Sequence, residues 1–380
     1  MISIYKLFRI IFGIIASVFI LYFLIYYSAV YSEMQRDTQR VLILKAFKKT
    51  AQDVYLTGIP INFSQFSKLE FDLYFEGTAE PPKLRSSVSS MIVMTPLFFA
   101  QGDNIFIERL DLDYGWWKFD FVEAVPDMTI IFNPLENTEE IWDMMKNITK
   151  TLPDTTNFRP KVTFGFCDGI NLDENLCGGK PCERYDFLNI LNQQHGGVGF
   201  SKCTAGMDKE KYRLVTVSSS CRHGFADKGI CIVPSQTDIG NFYINGSAET
   251  YIYKDPLDLV SAIIGGDSVS IYGIGAEELF KYKNKILGNR MKIMSKVMAQ
   301  RSVLISGRLQ ANTNWTECVI PYKNLADTLY FGGQDSISNI LSNENYYKNL
   351  PLLMQLKNKL NEARAQYQEL VDKGCEYIYV

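Results

Sequence analysis

Eight cysteines and two histidines are the residues of this 380-residue chain best suited to chemistry beyond ordinary proton exchange. The cysteines are Cys167, Cys177, Cys182, Cys203, Cys221, Cys231, Cys318 and Cys375. Their even number implies up to four disulfides in an oxidising compartment, and all eight are disulfide candidates. Zinc is the competing use, because Cys177, Cys182, Cys221 and His223 offer short ligand spacings. Cys-x4-Cys and Cys-x-His match no familiar finger or ribbon, so disulfides are preferred and no metal site is assigned. A Cys203–His195 nucleophile pair would need an unpaired thiol, which an even set does not leave. Ser218, Ser219 and Ser220 lack a Gly-x-Ser-x-Gly turn and read as a polar strand end.

Oxygen ligands gather at Asp168, Asn171, Asp173 and Asn175, which resemble a calcium loop in ligand type. The ordered glycine and glutamate of an EF-hand are missing, and Asn and Asp are ordinary turn residues. Gly273-Ile274-Gly275 has neither a third glycine nor a P-loop lysine, so it reads as a helix start, and no cofactor is expected. Asp111, Asp113 and Glu123 are the carboxylates that a hydrolase could use, given a groove that separates them by about 5–10 Å. Catalytic residues are otherwise unassigned. Trp116 and Trp117 should point to opposite faces of a strand, and Met291, Met294 and Met298 form a helical stripe of the kind that fills cores.

The element that must position all of this is N-terminal. From Ile10 to Ser32 there are 23 residues without a formal charge, roughly 34 Å of helix at 1.5 Å per residue, enough to cross a hydrocarbon core. Lys6 and Arg9 precede the run, while Tyr22, Tyr26, Tyr27 and Tyr31 gather toward its far end, where aromatic rings favour the membrane–water boundary. The run exceeds the apolar core of a cleaved signal peptide, so it is read as a single-pass anchor. Positive charges nearly balance across it. The cysteines, with sequons at Asn62, Asn147, Asn245 and Asn314, therefore place the C-terminal domain outside the cytoplasm.

Beyond the anchor, Ile43, Phe47, Ala51 and Val54 keep helical spacing until Gly58 and Pro60. If the helix runs unbroken from about Leu7 to Leu56, it is one rod, half in lipid and half against a domain. That layout resembles the N-terminal helix of type IV pilin-like proteins over the first 56 residues or so. Gly13, after Lys6 and Arg9, would end the leader, and Val18 stands where that family carries a glutamate. The resemblance implies a filament subunit.

Further along, Leu69, Phe71, Leu73 and Phe75 alternate with polar residues as in a half-buried strand. Pro96 breaks the apolar run from Met91 to Phe99. Residues 105–112 and 116–122 flank Asp113-Tyr114-Gly115 as a hairpin, and Ile130, Ile131 and Phe132 would close that sheet. Asn137 and Glu140 open a helix that ends by Pro153. A strand at 162–166 leads into a cysteine-rich stretch with a helix near 181–191 and a strand near 214–217. Asp255-Pro256-Leu257-Asp258 opens another helix and Gly265-Gly266 closes it. A long helix after Gly275 should weaken near Gly288. In the last helix Leu353, Leu356, Leu360, Ala363, Tyr367 and Leu370 form a seam. Cys375 follows it and is expected to pair with Cys318.

These readings give an α+β fold: a transmembrane anchor (1–32), an amphipathic juxtamembrane helix (33–58), a β-rich part (59–160), a cysteine-rich α+β part (161–330) and a C-terminal helix and tail (331–380). The formal charge of −3 offers no basic stripe for nucleic acid. The expected partners are the bilayer, through residues 10–32, and envelope proteins or further copies of the chain. The expected function is that of a membrane-anchored, non-enzymatic cell-envelope binding or assembly component, the alternatives being the filament subunit and a tethered hydrolase.

Overall fold

The computed structural model describes residues 4–63, 73–76, 83–86, 88–93, 97–99, 105–114, 117–136, 138–151, 162–167, 198–200, 212–225, 229–235, 239–254, 256–266, 275–311 and 316–375. The fold is α+β. Its first element, α1 (Ile4–Thr57), is one unbroken helix of 54 residues, about 80 Å long. From Ile4 to Gln39 every side chain but Ala16 is exposed. Ile43, Leu44, Phe47, Ala51 and Val54 then form a fully buried stripe. Gly58, at φ +69°, ends the helix in a conformation that glycine adopts without a Cβ penalty.

The stripe packs on a four-stranded sheet built from β1 (Ile61–Asn62), β5 (Leu97–Phe99), β6 (Ile105–Tyr114) and β7 (Trp117–Pro126), in the order β1-β6-β7-β5. A separate small sheet holds β2 (Leu73–Glu76), β3 (Lys83–Ser86) and β4 (Ser89–Ile92). The expected hairpin is present, but its strands are longer than the hydropathy pattern implied, with Tyr114 opposite Trp117. Phe47 meets Phe63 and Phe99 edge-on, at 5.5 and 5.7 Å between ring centroids.

The larger sheet has seven strands: β8 (Met128–Pro134), β9 (Val162–Cys167), β10 (Val198–Phe200), β11 (Tyr212–Val217), β12 (Ile230–Ile232), β13 (Gly240–Ile244) and β14 (Thr250–Tyr253). Their order is β10-β9-β8-β11-β12-β13-β14, and the first five are mutually parallel. The apolar run at Ile130–Phe132 therefore does not close the first sheet. It lies in β8, buried between the parallel strands β9 and β11 of the second sheet, which is where an uninterrupted Val/Ile/Phe run belongs in parallel pairing. The connection from β8 to β9 contains α2 (Glu139–Thr151), with Ile141, Met144 and Ile148 buried as their spacing requires.

Helix α3 (Pro256–Gly265) starts with proline in its first turn. Its Asp258 carboxylate reaches back to accept the Lys254 amide at 2.8 Å. Helix α4 (Ala276–Gln310) crosses the whole domain in 35 residues and continues through Gly288. That glycine is a close-approach site: a Cβ there would lie 2.8 Å from Tyr346 Cε1. The chain finishes with α5 (Thr316–Ala326), a π-helical turn at Asp327–Phe331, the short α6 (Ile337–Ile340) and α7 (Leu350–Asp372). Leu353, Leu356, Leu360, Ala363 and Leu370 are buried along α7, Gly374 at φ +67° ends it, and Cys375 is joined to Cys318 on α5. One hydrophobic core runs through all of these parts, from Ile43 to Cys375.

Two long-range ties cross that core. Lys283 Nζ donates to the Asp258 carboxylate at 2.6 Å and to its carbonyl oxygen at 3.0 Å, with both side chains 1% exposed. Substituting Asp258→Ala leaves an uncompensated buried ammonium and is expected to cost about 3–5 kcal/mol in denaturant unfolding of the detergent-solubilised chain. Cys318→Ala opens a loop whose ends are 57 residues apart, which chain entropy values at about 4 kcal/mol. Its unfolding midpoint should fall accordingly, and an unchanged midpoint would show that α7 holds its place without the staple.

Candidate functional site

The cysteine chemistry resolves first. Cys221 and Cys231 form a disulfide across the β11–β12 connection, and among the described residues no cysteine is free. Cys221 is thereby withdrawn from any thiolate site with His223, whose Nε2 instead lies 2.9 Å from Thr250 Oγ1 and whose ring meets Tyr243 edge-on at 4.9 Å. The side chains of Cys167, Cys177, Cys182 and Cys203, the Cys203–His195 pair, the Asp168–Asn175 loop and the helix near 181–191 lie outside the described residues, as do Trp116 and the side chain of Asp113. Trp117 is buried and its Nε1 donates to Met298 Sδ at 3.2 Å, so one of the two tryptophans is core. Met291 and Met298 of the methionine stripe are buried as well, and Met294 packs against the same core.

Carboxylates in the β6–β7 hairpin are not brought to one groove. Side chains directly opposed in an antiparallel pair share a face, and that face alternates along each strand. Asp111 lies opposite Asp120, on the face where Arg109 approaches Gly58 at the end of α1. Arg109 Nε donates to Asp111 there at 3.1 Å. Burial, and then the Asp111 charge, raises the Asp120 carboxyl above its usual range. Glu123 is three residues along and so points the other way, with Phe121 toward Arg290 of α4. Its opposite number is Glu108, a residue that hydropathy reading passed over.

A second arrangement, unforeseen in the sequence, sits at the carboxyl edge of the parallel strands. From β8 the chain moves outward to β9 and β10 on one side, while β11 and β12 lie on the other. In open parallel sheets the place where connections diverge in this way leaves a crevice beyond the strand ends. Here it falls between β8 and β11, where Pro134 faces Val217. Glu136 follows β8, and Ser218, Ser219 and Ser220 follow β11. The Glu136 carboxylate accepts from Ser218 Oγ at 3.0 Å, from Ser219 Oγ at 2.8 Å and from the Ser219 amide at 3.0 Å. Ser218 Oγ also lies 2.8 Å from Ser220 Oγ.

Partial burial pushes the Glu136 carboxyl up, yet the Ser219 hydroxyl and amide, together with Ser218 and Ser220, hold it below its ordinary value. An anion bound by three donors is a brace across the crevice rather than a free base, since its lone pairs are already directed. Thr138, Glu139 and Glu140, exposed at the start of α2, and the exposed Ser219 and Ser220 make the surrounding surface polar and mainly acidic. Only Ser218–Ser220 carried a sequence signal. The polar strand end was legible, and its partner across the sheet was not.

Searches of known protein families, curated proteins and solved structures find no match to this chain. Geometry alone therefore carries the functional argument. Glu136→Ala should raise amide hydrogen exchange at Ser219 and Ser220, with a stability loss of no more than about 1 kcal/mol after solvent screening. Because the folded carboxyl is held low, the brace is present above the ordinary glutamate value of about 4.3. It is lost as pH falls through the lowered value. A pH series of the same amides should show protection declining on acidification in the wild type and not in the variant.

Proposed function

We propose that this chain is a single-pass membrane protein whose disulfide-bonded α+β domain is held outside the cytoplasm by a rigid rod, as a non-enzymatic binding or assembly component of the cell envelope. The observation that carries the reading is the division of α1 into two solvent regimes without a break. Its first part is apolar and exposed on all sides, with none of the most apolar stretch buried in the domain. A helix satisfies its own backbone hydrogen bonds, which is what a segment in hydrocarbon must do. Its last part is buried in the domain core on one stripe. The anchor and the domain thus cannot swing independently, and the domain is presented at a fixed height and orientation. The disulfides support an oxidising compartment for that domain.

The same rod favours a second reading, a pilin-like filament subunit, because an apolar helix whose far half docks on a β-sheet could pack helix to helix in a fibre. Processing after Gly13 and recovery in filaments would favour it, whereas an intact N-terminus on a dispersed membrane protein favours the anchored component.

Topology is tested on intact cells with a membrane-impermeant alkylating reagent. Partly exposed Cys221 should stay unmodified until an impermeant reductant is supplied, and then react. Reaction only after permeabilisation, and without reductant, would put the domain in the cytoplasm and overturn the proposal.

A further inference from the structure

Glu108 and Glu123 are the least expected pair in the molecule. They occupy directly opposed positions of β6 and β7, and they are 9% and 2% exposed. Glu123 Oε2 is buried without a hydrogen-bond partner. The surroundings are aromatic: Phe98 on β5 lies opposite Glu123 and stacks on Phe121 at 5.0 Å. Two ionised carboxylates cannot share such a site, because burial penalises each charge and the charges repel.

Among the described residues, the charged and titratable groups nearby are committed elsewhere. From α4, Tyr282 faces the Leu97 amide at 3.5 Å, and Arg290 donates to the Asp120 carbonyl oxygen at 2.8 Å and lies over the Phe121 ring. Lys283 is held by Asp258 of α3. β5 brings only Leu97, Phe98 and Phe99. Arg109, Asp111 and Asp120 belong to the opposite face of the hairpin, toward α1, where Lys48 and Tyr55 are half-buried.

We propose that Glu108 and Glu123 share one proton and form a pH-sensitive latch, which holds the hairpin against α4 while the proton is present and loosens that seam when it is lost. In the protonated pair one carboxyl donates to the other. Its departure to solvent leaves two carboxylates and, among the described residues, no compensating cation. Burial raises both carboxyls above the ordinary range, most strongly Glu123, whose neighbour Glu108 adds to the effect. The stabilisation is complete below the ordinary glutamate value of about 4.3. It is lost as pH rises through the raised value of the pair, which titrates as a unit. The hairpin lies between the rod and α4, so the latch sets how tightly the helical half is fixed to the membrane stem, and it does so whichever side of the membrane the domain occupies.

The test is amide hydrogen exchange on the full chain in detergent over a pH series, with protection corrected for the intrinsic rate and α7 as internal reference. Wild-type β6 and β7 should lose protection by up to about tenfold per pH unit as the proton leaves, while α7 keeps its own. Glu123→Gln, similar in shape and always neutral, should flatten the loss. An unchanged slope in the variant, a hairpin no more pH-dependent than α7, or equal loss in both elements overturns the latch. Infrared spectroscopy keeps the test open if the variant folds poorly. The wild-type protein should show a protonated carboxylic acid above the ordinary glutamate range, and its absence overturns the proposal.

Discussion

One helix whose apolar surface is exposed on all sides over its first part and buried as a single stripe over its last constrains the rest of this structure. Over its first part α1 presents apolar side chains in every direction, and lipid tolerates that while water does not. Over its last part only a stripe is apolar, and that stripe must find protein. Five buried side chains, Ile43, Leu44, Phe47, Ala51 and Val54, remove enough surface to fix the rod, at roughly 1.5–3 kcal/mol for each of the larger ones. Because the helix is continuous, wherever the stripe docks the domain is oriented. The four-stranded sheet answers it with Phe63 and, on the parallel strand β5, Phe99, both set edge-on around Phe47.

The opposite face of that sheet is answered by α4, which makes the two halves of the domain one body. Along its length it meets the first sheet through Tyr282, Arg290 and Met298. It meets the second sheet through Phe280, packed on Phe242 and Tyr251. Tyr346 closes over Gly288 and donates to the Asn284 carbonyl oxygen at 2.9 Å. The glycine that helix propensity marks as a weak point is therefore where another side chain must approach. A residue that is costly locally is retained because packing requires its lack of a Cβ.

What could be read from the residues follows the range of the interaction responsible. The stripe on α1, the seam on α7, the proline at the start of α3 and the hairpin expected from residues 105–112 and 116–122 are encoded within one or two turns or strands, and each was legible, though the hairpin strands run on to Tyr114 and Pro126. The Cys318–Cys375 link followed from a helix that ends at Gly374 beside a cysteine. The parallel core of the larger sheet was not legible. Buried parallel strands are short apolar runs without alternation, so Ile130–Phe132 looked like the last strand of the sheet before it. Glu136 and Ser218 are 82 residues apart, and no local pattern joins them. Register decides the carboxylates too: Asp111 and Glu123 are near in sequence and hydropathy, yet parity sends them to opposite faces.

The placement of the Cys221–Cys231 disulfide connects compartment to surface. It bridges the loop that leaves β11 and returns to β12, the same loop whose first residues hold Glu136. A covalent tie limits the conformations that a loop between adjacent parallel strands samples when its contacts open. The Ser218 amide bonds to the Ile232 carbonyl oxygen at 3.0 Å, and Ile232 follows Cys231. The disulfide, that bond and the Glu136 brace are thus three successive ties on one crest. The first of them persists only where thiols are oxidised. The loop that holds Glu136 therefore loses a restraint in a reducing compartment.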